Sequence, residues 1–185
     1  IWISPLKTFE YLLQRDDSKN SLMIDILSVL ISIGIIIPRL QGFSALFGEQ
    51  KIIGLIIGII LYGAFGYFAI KVLWTLVFWV IGKILKGKAT KSQVQLVVVY
   101  SHIPFLIYLA ISMVLIIVAL ITKNFDLIFY QHPVTHIIVV ILIMRNLVYG
   151  LSFVNKFSYG FALLTTIIPL GITEFIYMII TNLKN

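Results

Sequence analysis

The sequence predicts an all-α fold, a polytopic membrane bundle of five transmembrane helices preceded by a short amphipathic helix. Three observations predict it. The run Ser92–Thr122 contains no Asp, Glu, Lys or Arg, and a bilayer core is crossed by roughly 20 apolar residues in a helix. Similar runs recur over Ile52–Ile70, Leu127–Met144 and Phe157–Thr173, and less cleanly over Leu22–Pro38. Hydrophobic residues make up 61% of the 185-residue chain and charged residues 11%, against about 25% charged in an ordinary soluble domain. The mean hydropathy is +1.09. A soluble core of this length has no way to keep so apolar a surface in water.

Two units are expected, an N-terminal segment 1–20 and a five-span domain 21–185. Ser4 and Pro5 form a helix start, a capping hydroxyl followed by proline at the first helical position. Leu6, Phe9, Leu12 and Leu13 then fall on one face and Lys7, Glu10 and Gln14 on the other. Such a helix lies in the interface with Trp2 as a headgroup anchor, or packs on the bundle; both readings stay open. It is not a secretory signal peptide, because Lys7 and Glu10 break the short apolar stretch and no small-residue cleavage site follows. The missing initiator Met suggests a trimmed start or absent upstream residues.

The first span is expected over Leu22–Pro38, with Asp25 near its start, ended by Pro38, Arg39, Gln41 and Gly42. The second, Ile52–Gly82, is interrupted only by Lys71 and would measure roughly 46 Å at 1.5 Å per residue. Two spans do not fit in it, so one long helix that tilts, kinks or projects is favoured. After a basic loop, the third span runs over Gln93–Ile121 with Pro104 inside it. The fourth is Val134–Val154 and the fifth Ser158–Thr181, joined by so short a turn that they must be antiparallel neighbours.

Five spans place the termini on opposite sides. Lys7, Arg15, Lys19, Lys83, Lys86, Lys88, Lys91 and Lys156 share one side; Arg39, Lys51, Lys123 and Lys184 share the other. Short cytoplasmic loops carry the excess of Lys and Arg, so the N-terminus is expected in the cytoplasm and the C-terminus outside. The formal charge of +7 thus reports topology and not nucleic-acid binding, for which no basic face on a soluble fold is present. The absence of cysteine excludes a structural disulfide, a thiolate metal site and a thiol nucleophile.

The segment KGKATKSQVQLVVVYSHIP, residues 86–104, resembles the signature of the Yip (Ypt-interacting protein) domain family. Gly87 stands in the basic loop, and Tyr100, Ser101 and Pro104 form the Tyr-Ser-x-x-Pro pattern of the helix that enters the bilayer. The opening ISPLKTF is similar to prokaryotic members. The resemblance implies five spans with a cytoplasmic N-terminus, in a prokaryotic cytoplasmic membrane. Eukaryotic relatives associate with Rab-type GTPases and vesicle traffic through a long N-terminal region that has no counterpart in this sequence, so GTPase binding does not carry over.

Several residues stand out as candidate sites. Pro104 removes a backbone donor and repels the carbonyl of Tyr100, so a kink is expected there, with Ser101 or His102 satisfying that carbonyl. Gly54, Gly58, Gly63 and Gly66 give the second span a small-residue face for close helix packing, within the chain or with a second copy. Asp25, Lys71, Arg145 and Glu174 are ionisable residues inside spans. Such residues cost roughly 2.5–3.5 kcal/mol each at mid-helix and so pair or line a cavity; by depth, Asp25 is matched to Lys71 and Arg145 to Glu174. His132 and His136, with Asp126 nearby, have a spacing that suits a metal on one helical face, but no second acidic ligand accompanies them and no metal is expected. Nor is a cofactor. With no phosphate loop and no catalytic triad, the expected function is a non-catalytic scaffold or organiser of the membrane, with the bilayer, other membrane proteins or a second copy as partners. A small transporter or channel using the intramembrane charges is the alternative.

Overall fold

A computed structural model describes residues 1, 3–14, 17–130 and 132–169. Among the described residues every regular element is helical. Four helices are long and apolar enough to cross a membrane: Asn20–Arg39, Ile52–Ile84, Lys91–Thr122 and Phe125–Asn155. A shorter apolar helix, Tyr159–Pro169, follows. It occupies the first half of the expected fifth span, and the rest of that span lies outside the described residues.

Helix α1, Pro5–Gln14, buries Pro5, Phe9 and Leu12. The apolar face of this amphipathic segment packs on the bundle, against the helix Pro133–Asn155. Phe9 is fully buried against Gly150, where an added Cβ would lie 2.8 Å from the ring. The polar face of α1 stays exposed at Lys7 and Glu10. The amide of Asn20 closes the turn by donating to the carbonyl of Leu12 at 2.8 Å.

Helix α2, Asp17–Ile36, ends in a 3₁₀ turn Ile37–Arg39 that holds Pro38 at its centre. A five-residue helix α3, Gln41–Ala45, leads into α4, Lys51–Phe68. The second span is one helix from end to end, but it is not α-helical throughout. Residues Ala69–Trp74 form a π-helical turn before α5, Thr75–Ile84. The expected kink of this long span is therefore a π-turn that contains Lys71. Such turns concentrate at functional positions.

The third span is divided where proline demands it. Helix α6, Lys91–Ser101, begins with a capping box in which Thr90 and Gln93 exchange hydrogen bonds. A 3₁₀ turn Ile103–Phe105 around Pro104 separates it from α7, Leu106–Thr122. Next comes α8, Pro133–Asn155, with proline in its first turn and the His132 ring accepting from the Val134 N–H at 3.3 Å. Helix α9, Tyr159–Pro169, follows the left-handed turn at Lys156.

Helix α2 packs on α4 and α7, and α6 packs on α5 and α8. The main core joins Phe9, Ile31, Phe78, Val97, Val139 and Leu151. A second cluster of Ile37, Leu40, Leu55, Ala119, Ile128 and Phe129 closes the opposite end. Most side chains on the outward faces of α4 and α7, such as Ile60, Phe65, Met113 and Ile117, are exposed and large, as expected of surfaces facing hydrocarbon.

Candidate functional site

The second span brings its charge to α2. Lys71 donates to the carboxylate of Asp25 in a close ion pair and to the hydroxyl of Tyr67 at 2.9 Å. Tyr67 in turn donates to the same carboxylate oxygen, Asp25 Oδ1, at 2.8 Å. The ammonium also lies 5.3 Å from the centre of the Tyr67 ring. Three residues from two spans thus share one polar knot, and Asp25 and Lys71 face each other in it. Tyr67 was not anticipated. Its signal was available, because a tyrosine four residues before an intramembrane lysine stands on the same helical face.

The π-turn has a partner of its own. A widened turn interrupts the regular ladder and exposes backbone oxygens. The carbonyl of Lys71 accepts from the Gln95 amide on α6 at 3.1 Å. Beside this contact opens a cleft of about 510 Å³ between the start of α2 and the start of α6, lined by Asn20, Ser21, Lys71, Thr90, Gln93 and Gln95 among others. Amide and hydroxyl side chains share its wall with Leu13, Ile24 and Leu96, and Lys71 lines it as well.

The signature residues hold the neighbouring loop. Gly87 donates its N–H to the Gly82 carbonyl at 2.7 Å, and a Cβ at Gly87 would collide with Asn155, coming within 2.8 Å of Cγ. Asn155, the last residue of α8, accepts from Lys88 N–H at 3.1 Å through its own carbonyl and from Ala89 N–H at 3.4 Å through its side chain. The glycine therefore permits the end of α8 to clamp the basic loop. Lys86, one residue earlier, adopts a left-handed conformation with φ 62°.

At Pro104 the expectation for the freed carbonyl needs correction. The His102 ring does not reach Tyr100; its Nδ1–H donates to the carbonyl of Val98 at 2.7 Å. The His102 N–H has turned to Val99 at 3.1 Å, because the chain tightens to 3₁₀ pitch ahead of the proline and leaves Val98 to the ring. Ser101 is fully buried, and its hydroxyl has no hydrogen-bond partner among the described residues. Tyr100 is buried in the main core. A glycine that sequence reading passed over supports this turn. A Cβ at Gly34 would lie 2.8 Å from the Phe105 carbonyl, so α2 rests directly on the broken helix.

Three of the four glycines of the second span are close-packing positions within the chain. Added Cβ atoms would meet Phe47 at Gly54, Leu40 at Gly58 and Ser32 at Gly66, all under 3.0 Å. Gly63 differs: its nearest neighbour would be Ile33 at 4.0 Å, and it lines an open apolar groove of about 420 Å³ between α2 and α4.

Arg145 lies against the N-terminal segment, donating to the carbonyl of Ile3 at 3.4 Å; Glu174, its expected partner, lies outside the described residues. The two histidines are engaged elsewhere. His132 caps α8, and His136 Nδ1 shares a hydrogen bond with the Tyr108 hydroxyl at 2.9 Å.

These features agree with a family assignment. The family model described as "Yip1 domain" matches residues 1–180, nearly the whole chain, including the clamped Gly87 loop and the broken helix at Pro104. No curated protein and no solved structure matches it. The chain is a multi-pass membrane protein and belongs to the Yip1 domain family.

Proposed function

We propose that this protein is a non-catalytic membrane scaffold, organising the bilayer around it or holding other membrane proteins. The observation that carries this reading is the use to which the intramembrane charges are put. Asp25 and Lys71 neutralise each other and, with Tyr67, tie α2 to the second span. Charges placed in lipid are expensive, and cross-linking two spans is a structural return for that cost. The orientation we propose puts the clamped loop in the cytoplasm. Lys83, Lys86, Lys88 and Lys91 lie beside the Lys156 turn through the Asn155 contacts, and the cleft joins Asn20 and Ser21 to the same end. Two basic segments thus share one end, and the positive-inside bias supports a cytoplasmic place for it.

A second reading, a small transporter, draws support from the polar cleft that reaches Lys71 from the basic end. Flux measurements on the purified chain in sealed vesicles separate the two. The scaffold reading expects proton and potassium flux no higher than in protein-free vesicles. Flux that disappears in Asp25→Asn would replace it with the transporter reading.

A further inference from the structure

The Asp25–Tyr67–Lys71 knot crowns an empty groove. Val29 and Ile33 on α2 stand one and two turns below Asp25, and Ile59, Gly63 and Ala64 on α4 stand below Tyr67. The groove's wall is almost entirely apolar, and Tyr67 is its uppermost lining residue. The groove is about 420 Å³, open along its length and turned to the side that meets hydrocarbon. A fatty chain suits such a trough, whose wall is apolar and open to hydrocarbon. Above it the side chains of Lys71 and Asp25 remain 25% and 40% exposed. Both bonds to the carboxylate fall on Oδ1, so Oδ2 has no hydrogen-bond partner among the described residues.

We propose that this face binds one molecule of a zwitterionic aminophospholipid, phosphatidylethanolamine, with an acyl chain in the groove and the headgroup across the ion pair. The argument is charge complementarity. The crown holds one positive and one negative group, and the other residues lining the groove are uncharged. A headgroup with one phosphate and one ammonium satisfies both, the phosphate at the one remaining N–H of Lys71 and the ammonium at Asp25 Oδ2. An anionic headgroup would satisfy Lys71 and set its charge against Asp25. A choline headgroup carries the right charges but has no N–H to donate to Oδ2, and hydrogen bonds to ionised groups are the stronger kind. Asp25 lies about 7.5 Å below the edge of the span at Asn20, counted at 1.5 Å per residue, a depth at which a headgroup drawn inward can meet it while its chain fills the groove below.

Native mass spectrometry of the full purified chain tests this, with phosphatidylethanolamine, phosphatidylcholine and phosphatidylglycerol of identical acyl chains offered in equal amounts. Phosphatidylethanolamine adducts should exceed phosphatidylcholine adducts by about tenfold, the factor that one charge-assisted hydrogen bond supplies. Asp25→Asn should erase that preference, and so should the neutral double variant Asp25→Asn/Lys71→Gln, which strands no charge. Gly63→Leu, at a position where an added Cβ would meet the neighbouring helix no closer than Ile33 at 4.0 Å, should fill the trough and reduce the adduct; Ala64→Leu does the same from an exposed position. Equal retention of the ethanolamine and choline lipids overturns the proposal, as does a preference for phosphatidylglycerol. Undiminished binding to a folded groove-filling variant overturns it too.

Discussion

Asn155, at the end of α8, closes over Gly87 so tightly that no side chain fits between them. The same asparagine carries two of the loop's backbone N–H groups, those of Lys88 and Ala89. The signature glycine is thus explained by a residue 68 positions away (155 − 87), since a Cβ at Gly87 forces either the loop or the helix end to move.

Gly87→Ala should therefore lower stability by about 1–3 kcal/mol, the usual cost of overpacking a filled site. Asn155→Ala should cost about 1–3 kcal/mol for a different reason, the loss of the side-chain acceptor of one buried backbone donor, the Ala89 N–H. Since the two residues touch, the double variant should lose less than the sum of the singles. Thermal unfolding in detergent measures all three, and strict additivity would contradict the clamp.

The ion pair makes a second cycle. Asp25→Leu or Lys71→Leu alone leaves one charge facing lipid, at about 2.5–3.5 kcal/mol on insertion scales. Removing both charges should restore most of that loss, because apolar replacement of a pair in a low-dielectric setting is often close to neutral. Urea or thermal melts of the two singles and the double decide it; a double variant as damaged as the sum of the singles would show that the pair is not what holds these spans together.

Gly34→Ala should disturb the break at Pro104 from the neighbouring helix. Its new Cβ would meet the Phe105 carbonyl at 2.8 Å and Leu109 at 3.3 Å, and backbone cannot swing aside as a side chain does. A loss of about 1–3 kcal/mol follows. His102→Ala should cost about 1–3 kcal/mol by leaving the Val98 carbonyl unpaired in a low-dielectric site, and His102→Gln, which still donates, should recover part of it. Comparing the melting temperatures of the alanine and glutamine variants checks this; equal losses would refute the hydrogen-bond role.

Sidedness can be read directly, because the chain contains no cysteine. Lys88→Cys in the clamped loop and Asn124→Cys at the far end are both exposed sites. In intact cells a membrane-impermeant thiol reagent should reach position 124 and spare position 88. The reverse pattern would invert the orientation proposed above.

Membrane residence and helical class were legible because hydropathy is a sum over residue types and the helical rise is constant. Runs such as Ser92–Thr122 declare a span without reference to any neighbour. Depth is a count along the chain, which is why Asp25 and Lys71 could be matched in advance, and proline chemistry is local enough to place the break at Pro104. The π-turn at Ala69–Trp74 could not be read this way, and the donor to its Lys71 carbonyl, Gln95, arrives from another helix. Nor could the choice of Val98 over Tyr100 for the His102 ring, which depends on how far the backbone tightens before the proline. The four glycines of the second span look alike in sequence, yet three meet neighbours and Gly63 faces an open groove. Gly34, Gly87 and Gly150 matter for what lies opposite them: a carbonyl, an asparagine and a phenylalanine brought from distant segments. Such contacts depend on distances between helices, and a residue's own chemistry carries no information about what the packed bundle will place against it.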